Sequence, residues 1–287
     1  MTRPLDPRLT PYRDDLAALH LRGVVAAAQF VRANVMQVVV SSVPLRRGRD
    51  AALGYESELL FGELLDVYEV KDGWVWGQAR RDGYVGYLEA SALAPLGPAA
   101  THQVRALRSF LYPVAGIKVT PLGFLPLGAE VAVLGAADGF SQTPQGFVYS
   151  AHLAPLATVE ADPVAVAERL IGVPYLWGGK SSLGIDCSGL VQTACAACGI
   201  TALRDSDMQE KTLGEVVPAP VDAADYQRGD LLFWPGHVAM AQGGGLMIHA
   251  NAHFMAVTSE PLGPALARIA AKGDALRTVR RLKSRVV

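Results

Sequence analysis

Cysteine is scarce in this chain of 287 residues: only Cys187, Cys195 and Cys198 occur, all in one segment. An odd number so clustered excludes the disulfide framework of small exported domains. Cys195 and Cys198 have a C-x-x-C spacing. No second such pair exists, and this one closes an apolar segment instead of opening it, so both are read as helix packing and not as a zinc or redox pair. A surplus of either charge is also missing. The 26 Lys and Arg and 27 Asp and Glu leave a net charge of -1, so no nucleic-acid or anionic-membrane partner is expected. Arg277 to Arg285 is locally basic and reads as a solvated last strand or tail. Long apolar runs are missing too. Val24 to Phe30 is short and late, and the start, MTRPLDPRLTPYRDD, carries prolines and acids. No signal peptide, lipidation site or membrane span is therefore expected, and the expected location is the cytoplasm, where a thiol stays reduced. What is present, 51% hydrophobic and 18% charged residues, suits globular folding in two or three domains.

Residues 1–33 read as a leader. Pro4, Pro7 and Pro11 keep its start extended, and the apolar spacing from Leu16 to Val31 predicts an amphipathic helix interrupted at Gly23. Residues 34–97 read as short strands (VMQVVV, LLFGELLDVYEV, WVWGQA, YVGYLEA) with turns at Lys71-Asp72-Gly73 and Arg81-Asp82-Gly83. Residues 102–157 repeat that pattern in weaker form. Gly62 is answered by Gly128, Asp72-Gly73-Trp74 by Asp138-Gly139-Phe140, and Leu93-Ala94-Pro95-Leu96 by Leu153-Ala154-Pro155-Leu156. A repeat that keeps its turns and its closing motif implies two copies of one small all-β unit. Asp162-Pro163 then caps a short helix and opens the last region, 163–287. Helices come first there, followed by strands at 230–234, 237–242 and 246–251, a helix near 264–271 and a strand at 278–282: an α+β pattern.

The chemistry centres on PYLWGGKSSLGIDCSG, Pro174 to Gly189. Cys187 opens the apolar stretch that ends at Gly199, so it is placed at the first turn of a helix. Unpaired N–H groups and the positive end of the helix dipole there favour thiolate, the nucleophilic form. Downstream, His237 opens the strand HVAMAQ, Gly243-Gly244-Gly245 turns, and LMIHAN returns. A turn centred near Gly244 sets residue 249 opposite 239, so His237 and His249 lie diagonally on one face. One imidazole could take the thiol proton and the other orient it. The plainer reading is two satisfied core histidines, but a shared face together with a helix-start cysteine favours catalysis.

Residues 163–287 resemble the NlpC family of cell-wall peptidases, of the papain-like group. The motifs, in order, are Tyr175-x-Trp177-Gly178-Gly179, Asp186-Cys187-Ser188-Gly189, Gly229-Asp230-Leu231, His237-Val238-Ala239 and His249-Ala250. Residues 34–97, and less fully 102–157, resemble bacterial SH3-like domains through their DG-aromatic turns. The resemblance implies Cys187 as nucleophile, His237 as base, His249 as orienter, and no cofactor or metal. It also implies a cysteine endopeptidase that cuts the γ-D-glutamyl bond to the diamino acid of murein-derived peptides, in cell-wall peptide recycling. Asp205 and Ser206 are similar to the pair that binds the free amine of L-Ala, and Tyr84 to a tyrosine that family members direct at the cysteine. Tyr175 and Trp177 are expected to line the pocket, Trp177 as the more buried of the two, and Asp186 and Ser188 are counted with the substrate-binding residues. Two alternatives share this scaffold: an amidase or acyltransferase, and a cell-wall-binding protein with an inactive catalytic domain.

Overall fold

Two left-handed turns mark the N-terminal half. Asp72 and Gly73 take φ of 52° and 78°, and Asp138 and Gly139 take 50° and 78°, the geometry of a tight hairpin turn. The structure is a computed structural model describing residues 5–282. The chain divides into two compact units, Met1–Thr158 and Val159–Val287.

In the first unit each turn sits in a lobe of antiparallel strands. The first lobe orders its sheet Val85–Glu89, Trp74–Ala79, Leu64–Lys71, Asn34–Val38, Leu93–Pro95, with a separate hairpin of Ser42–Leu45 and Ser57–Leu60. The second lobe pairs equivalent segments in the same way. His102–Val104 lies between Glu130–Val131 and Leu153–Pro155, Phe140–Thr143 lies between Gly135–Ala137 and Gly146–Tyr149, and Arg108–Tyr112 pairs with Gly123–Pro126. The long strand Leu64–Lys71 of the first lobe is thus matched by two short ones.

The lobes meet closely. Phe61 packs with Val104, Leu111, Leu125, Ala129, Val131 and Val148, so a residue of the first lobe completes the core of the second. The Glu130 N–H donates to the Phe61 carbonyl at 3.0 Å. Gly62, at φ of 86°, has the Glu130 carbonyl oxygen 2.1 Å from where a Cβ would stand.

The leader is not helical. Leu16–Ala18 pairs in parallel with Gln29–Val31 around a single 3-10 turn, Leu19–Leu21. It is held to the first lobe by Arg13, whose guanidinium lies 4.4 Å from the Trp76 ring centre and donates to Glu69 and Tyr87 at 3.0 and 2.8 Å. Leu16, Ala17, Ala18 and Leu21 are buried without forming a long helical stripe.

The second unit holds helices α1 (Pro163–Glu168), α2 (Cys187–Ala197), α3 (Ser206–Thr212) and α4 (Leu262–Ala270). Its sheet holds β1 (Glu215–Val217), β2 (Asp230–Trp234), β3 (His237–Gly243), β4 (Leu246–Asn251), β5 (Ala256–Pro261) and β6 (Thr278–Arg281). The antiparallel order is β1-β6-β2-β3-β4-β5. Every residue of β2 is buried, as befits a strand covered on both faces. Leu262 and Ala265 of α4 pack with Leu232, Trp234, Ala239, Ala241 and Met247, while α2 lies against β3 and β4. The sequence reading missed β1 and β5. No helix among the described residues is long and apolar enough to cross a membrane.

Candidate active site

The site is assembled by the start of α2 and the open end of the β3–β4 hairpin. Asp186 is the N-cap of α2, its Oδ1 accepting from the Gly189 N–H at 2.7 Å. That fixes Cys187 as the first helical residue. Gly189 allows the helix to press on the preceding loop: a Cβ there would stand 2.3 Å from the Gly179 carbonyl oxygen. Pairing of Met240 with Ile248, extended by one residue, sets His249 across from Ala239, the register the triple-glycine turn predicts. His237 and His249 consequently face each other, with Nε2 of His237 2.9 Å from Nδ1 of His249. The Trp234 ring lies over His237 at 5.6 Å between centres.

The backbone N–H of Val238, the residue after His237, and that of Ser188 act to favour the Cys187 thiolate. The thiol thus stands at the end of α2 that faces the start of β3. Burial, with Asp186 adding to it, pushes the thiol up to about 12, outweighing those N–H groups and Arg204. The helix-start effect expected from the sequence is present, and burial opposes it. Burial also holds His237 down to about 3, aided by His249. Burial thus favours the neutral form of both groups.

Three residues that the sequence left unassigned complete the site. Glu260, on the unforeseen β5, places Oε1 2.8 Å from Nε2 of His249. Arg268 of α4 clamps both Glu260 oxygens at 2.6 Å and, with His249, holds that carboxyl below its usual range against the opposing effect of burial. Arg204, only 1% exposed, donates to Asp186 Oδ2 at 2.7 Å and Oδ1 at 3.0 Å, to Ser188 Oγ at 2.9 Å and to the Gly179 carbonyl at 3.3 Å. Asp186 Oδ2 also accepts from the Gly178 N–H at 2.8 Å.

Asp186 and Ser188 are thus buried in a network that ties the Gly178–Gly179 loop, α2 and Arg204 together. Their side chains hold the scaffold of the site and are not open to substrate. Tyr175 is half-buried, and burial together with Cys187 and Asp186 raises its phenol above the ordinary range. Trp177 is 63% exposed, reversing the expected order of the two aromatics: the loop carries it outward while Tyr175 is tied back through its N–H to the Met255 carbonyl at 2.9 Å. Asp205 is the N-cap residue of α3, without a side-chain capping bond, and Ser206 begins that helix. Both are half-buried and follow directly on the locked Arg204. Tyr84 lies in the other unit, buried in the turn before Val85–Glu89, its N–H bonded to Asp82 at 3.1 Å.

Comparison with known proteins gives the same outline. Residues 172–265 match the NlpC/P60 family, and residues 45–93 match the bacterial dipeptidyl-peptidase Sh3 domain. A γ-D-glutamyl-L-lysine dipeptidyl-peptidase of Bacillus subtilis (strain 168) is 30% identical over 220 residues, 68% of this chain and 72% of the relative. The dipeptidyl-peptidase 6 of Lysinibacillus sphaericus is 44% identical over 88 residues, 31% of each protein. Among solved structures, an NlpC/P60 family protein from Bacillus cereus ATCC 10987 superposes with a TM-score of 0.71, covering 87% of this chain and 99% of that one at 21% identity, a likeness of fold.

Proposed function

This chain belongs to the NlpC/P60 family, a peptidase with an SH3-like domain, and from that premise we propose that it is a cysteine endopeptidase hydrolysing the γ-D-glutamyl bond to the diamino acid of murein-derived peptides with a free N-terminal L-Ala. The observation that carries the reading is Cys187 at the start of α2, a helix that lies against the strand opened by His237, with His237 bonded to His249. The B. subtilis relative, named for γ-D-glutamyl-L-lysine, supports the bond type. We read residues 102–157 as a second, divergent SH3-like copy, on the strength of its matching turns and strand pairing.

In this mechanism Nδ1 of His237, the nitrogen not used by His249, takes the Cys187 proton as sulfur attacks the γ-glutamyl carbonyl carbon. Backbone N–H groups at the start of α2 hold the oxyanion. The imidazolium then protonates the leaving amine as the C–N bond breaks and a thioester remains. Water attacks the thioester, giving its proton to His237, and the acid leaves as the thiol is restored.

Arg204, locked to Asp186 beside Cys187, fixes where Asp205 and Ser206 begin α3, and we assign them the substrate ammonium. An N-acylated L-Ala would forfeit that charge-assisted bond, a penalty of roughly 2–4 kcal/mol. Such a requirement suits peptides already freed from glycan, and on that ground we place the activity in the cytoplasm, in recycling; cell fractionation tests the location. The test of function is a panel of L-Ala-γ-D-Glu-Lys and L-Ala-γ-D-Glu-diaminopimelate peptides, free or N-acetylated, resolved by mass spectrometry. Free peptides should be cut at the γ-bond, and acetylated ones at least ~30-fold more slowly in kcat/KM. Cys187→Ala should lose at least ~10³-fold. Equal rates on the two peptide forms would overturn the recycling assignment, and a Cys187→Ala variant within tenfold of wild type would overturn the thiol mechanism.

A further inference from the structure

Arg268, Glu260, His249 and His237 form one hydrogen-bonded row that ends beside Cys187. Each bond in it has a direction dictated by chemistry. Arg268 can only donate, and both oxygens of Glu260 accept from it at 2.6 Å. An ionised carboxylate can only accept, so the 2.8 Å contact to His249 must be donated by Nε2–H of that ring. A neutral imidazole carries one N–H, so Nδ1 of His249 is left as a lone pair. That lone pair accepts from Nε2–H of His237 at 2.9 Å. Nδ1 of His237 is then a lone pair as well, the only state in which that nitrogen can receive a thiol proton.

We propose that Glu260, held by Arg268, is a positioning residue that sets the tautomers of both histidines and so makes His237 competent as a base; this rests on the assignment of Cys187 and His237 above. Burial supports the inference: Glu260 is 8% and His249 1% exposed, so water does not readily take over either role. Removing the acceptor would leave a buried Nε2–H without a partner. A lone pair is the less costly group to bury unpaired, so His249 would move its proton to Nδ1 and donate to His237. His237 would then carry its own proton on Nδ1, facing the thiol with a donor where an acceptor is needed. A fixed imidazole tautomer is a known requirement of nucleophile–base pairs, and imposing the wrong one is costly.

Two variants separate this role from simple filling of space. Glu260→Met keeps the volume and removes both acceptors; Glu260→Gln keeps one acceptor. With free L-Ala-γ-D-Glu-Lys as substrate, Glu260→Met should lower kcat by about 10²-fold, a smaller loss than the mispaired triad of a serine protease because Glu260 is one residue further from the nucleophile. KM should stay within about threefold, and Glu260→Gln should keep at least about ten times the kcat of Glu260→Met. The tautomers are read by 15N NMR of the imidazoles. In the resting wild type, Nε2 should be protonated and Nδ1 bare on both rings, and in Glu260→Met both assignments should reverse. Wild-type rings protonated on Nδ1, equal kcat for the Met and Gln variants, or a Met variant as fast as wild type would each overturn the proposal. The wild-type spectrum and the Gln variant decide it even if the Met variant does not fold. Failure of the thiol reading itself shows separately, as an active Cys187→Ala.

Discussion

Arg204 illustrates how a single side chain can organise a site it does not belong to chemically. In the sequence it opens a run of polar residues, Arg204 to Gln209, that reads as solvated loop. In the structure it is among the most deeply buried side chains and binds Asp186, Ser188 and Gly179 at once. A charge in a sequence is taken to be at the surface because burial without a partner is prohibitive. The partner, Asp186, is remote in the chain, and no periodicity points to it. Arg204→Met should strand the carboxylate beside Cys187 and cost about 3–5 kcal/mol. Adding Asp186→Asn should return part of that loss. Urea titrations of the two single variants and the double variant check this through the coupling energy. A loss below about 1 kcal/mol for Arg204→Met would show that the network is not stabilising.

At the scale of elements, the close seat of α2 on the Gly178–Gly179 loop sets where the thiol stands. Gly189→Ala would place a Cβ 2.3 Å from a backbone oxygen, which a flexible side chain cannot relieve. The helix or the loop must move, at a cost of about 1–3 kcal/mol, and kcat should fall because Cys187 rides on that first turn. Thermal melts with rate measurements check it; wild-type values for both would mean the contact is loose. The helix and the β3–β4 hairpin were legible in the sequence because their signals are local: a capping aspartate, a glycine stop, three glycines between alternating apolar runs. The site's Glu260 was not. Its strand reads AVTSEP, half polar and ending in proline, and it is recognisable only by pairing His249 with Thr258 and Met247 with Glu260. β1, EVV, is shorter still and lies at the other edge of the sheet. Edge strands are commonly kept short and carry charges or proline, which leaves little apolar pattern to read. The leader failed for a related reason. Its apolar residues have helical spacing, but they form a parallel pair, and Arg13 ties the segment to a sheet distant in the chain.

For the first unit as a whole, the seam between the lobes decides how it comes apart. Phe61 belongs by sequence to the first lobe and by packing to the core of the second. Phe61→Ala should therefore cost about 3–5 kcal/mol, and the loss should be felt on both sides. Hydrogen exchange followed by mass spectrometry should show Val104, Leu125 and Val148 losing protection together with Leu59 and Leu65. Confinement of the change to residues 34–97 would mean that the lobes open independently. Arg81 adds to the seam by pairing with Glu63 of its own lobe and Glu130 of the other, each at 2.7 Å. The seam also bears on heredity. A small lobe is ordinarily free to be lost, shuffled or replaced. Here a recombination event importing a foreign first lobe would have to bring a phenylalanine and a side-chain-free residue at the two positions that the resident second lobe already presumes. Gly62 and Phe61 therefore act as a compatibility lock between the two lobes.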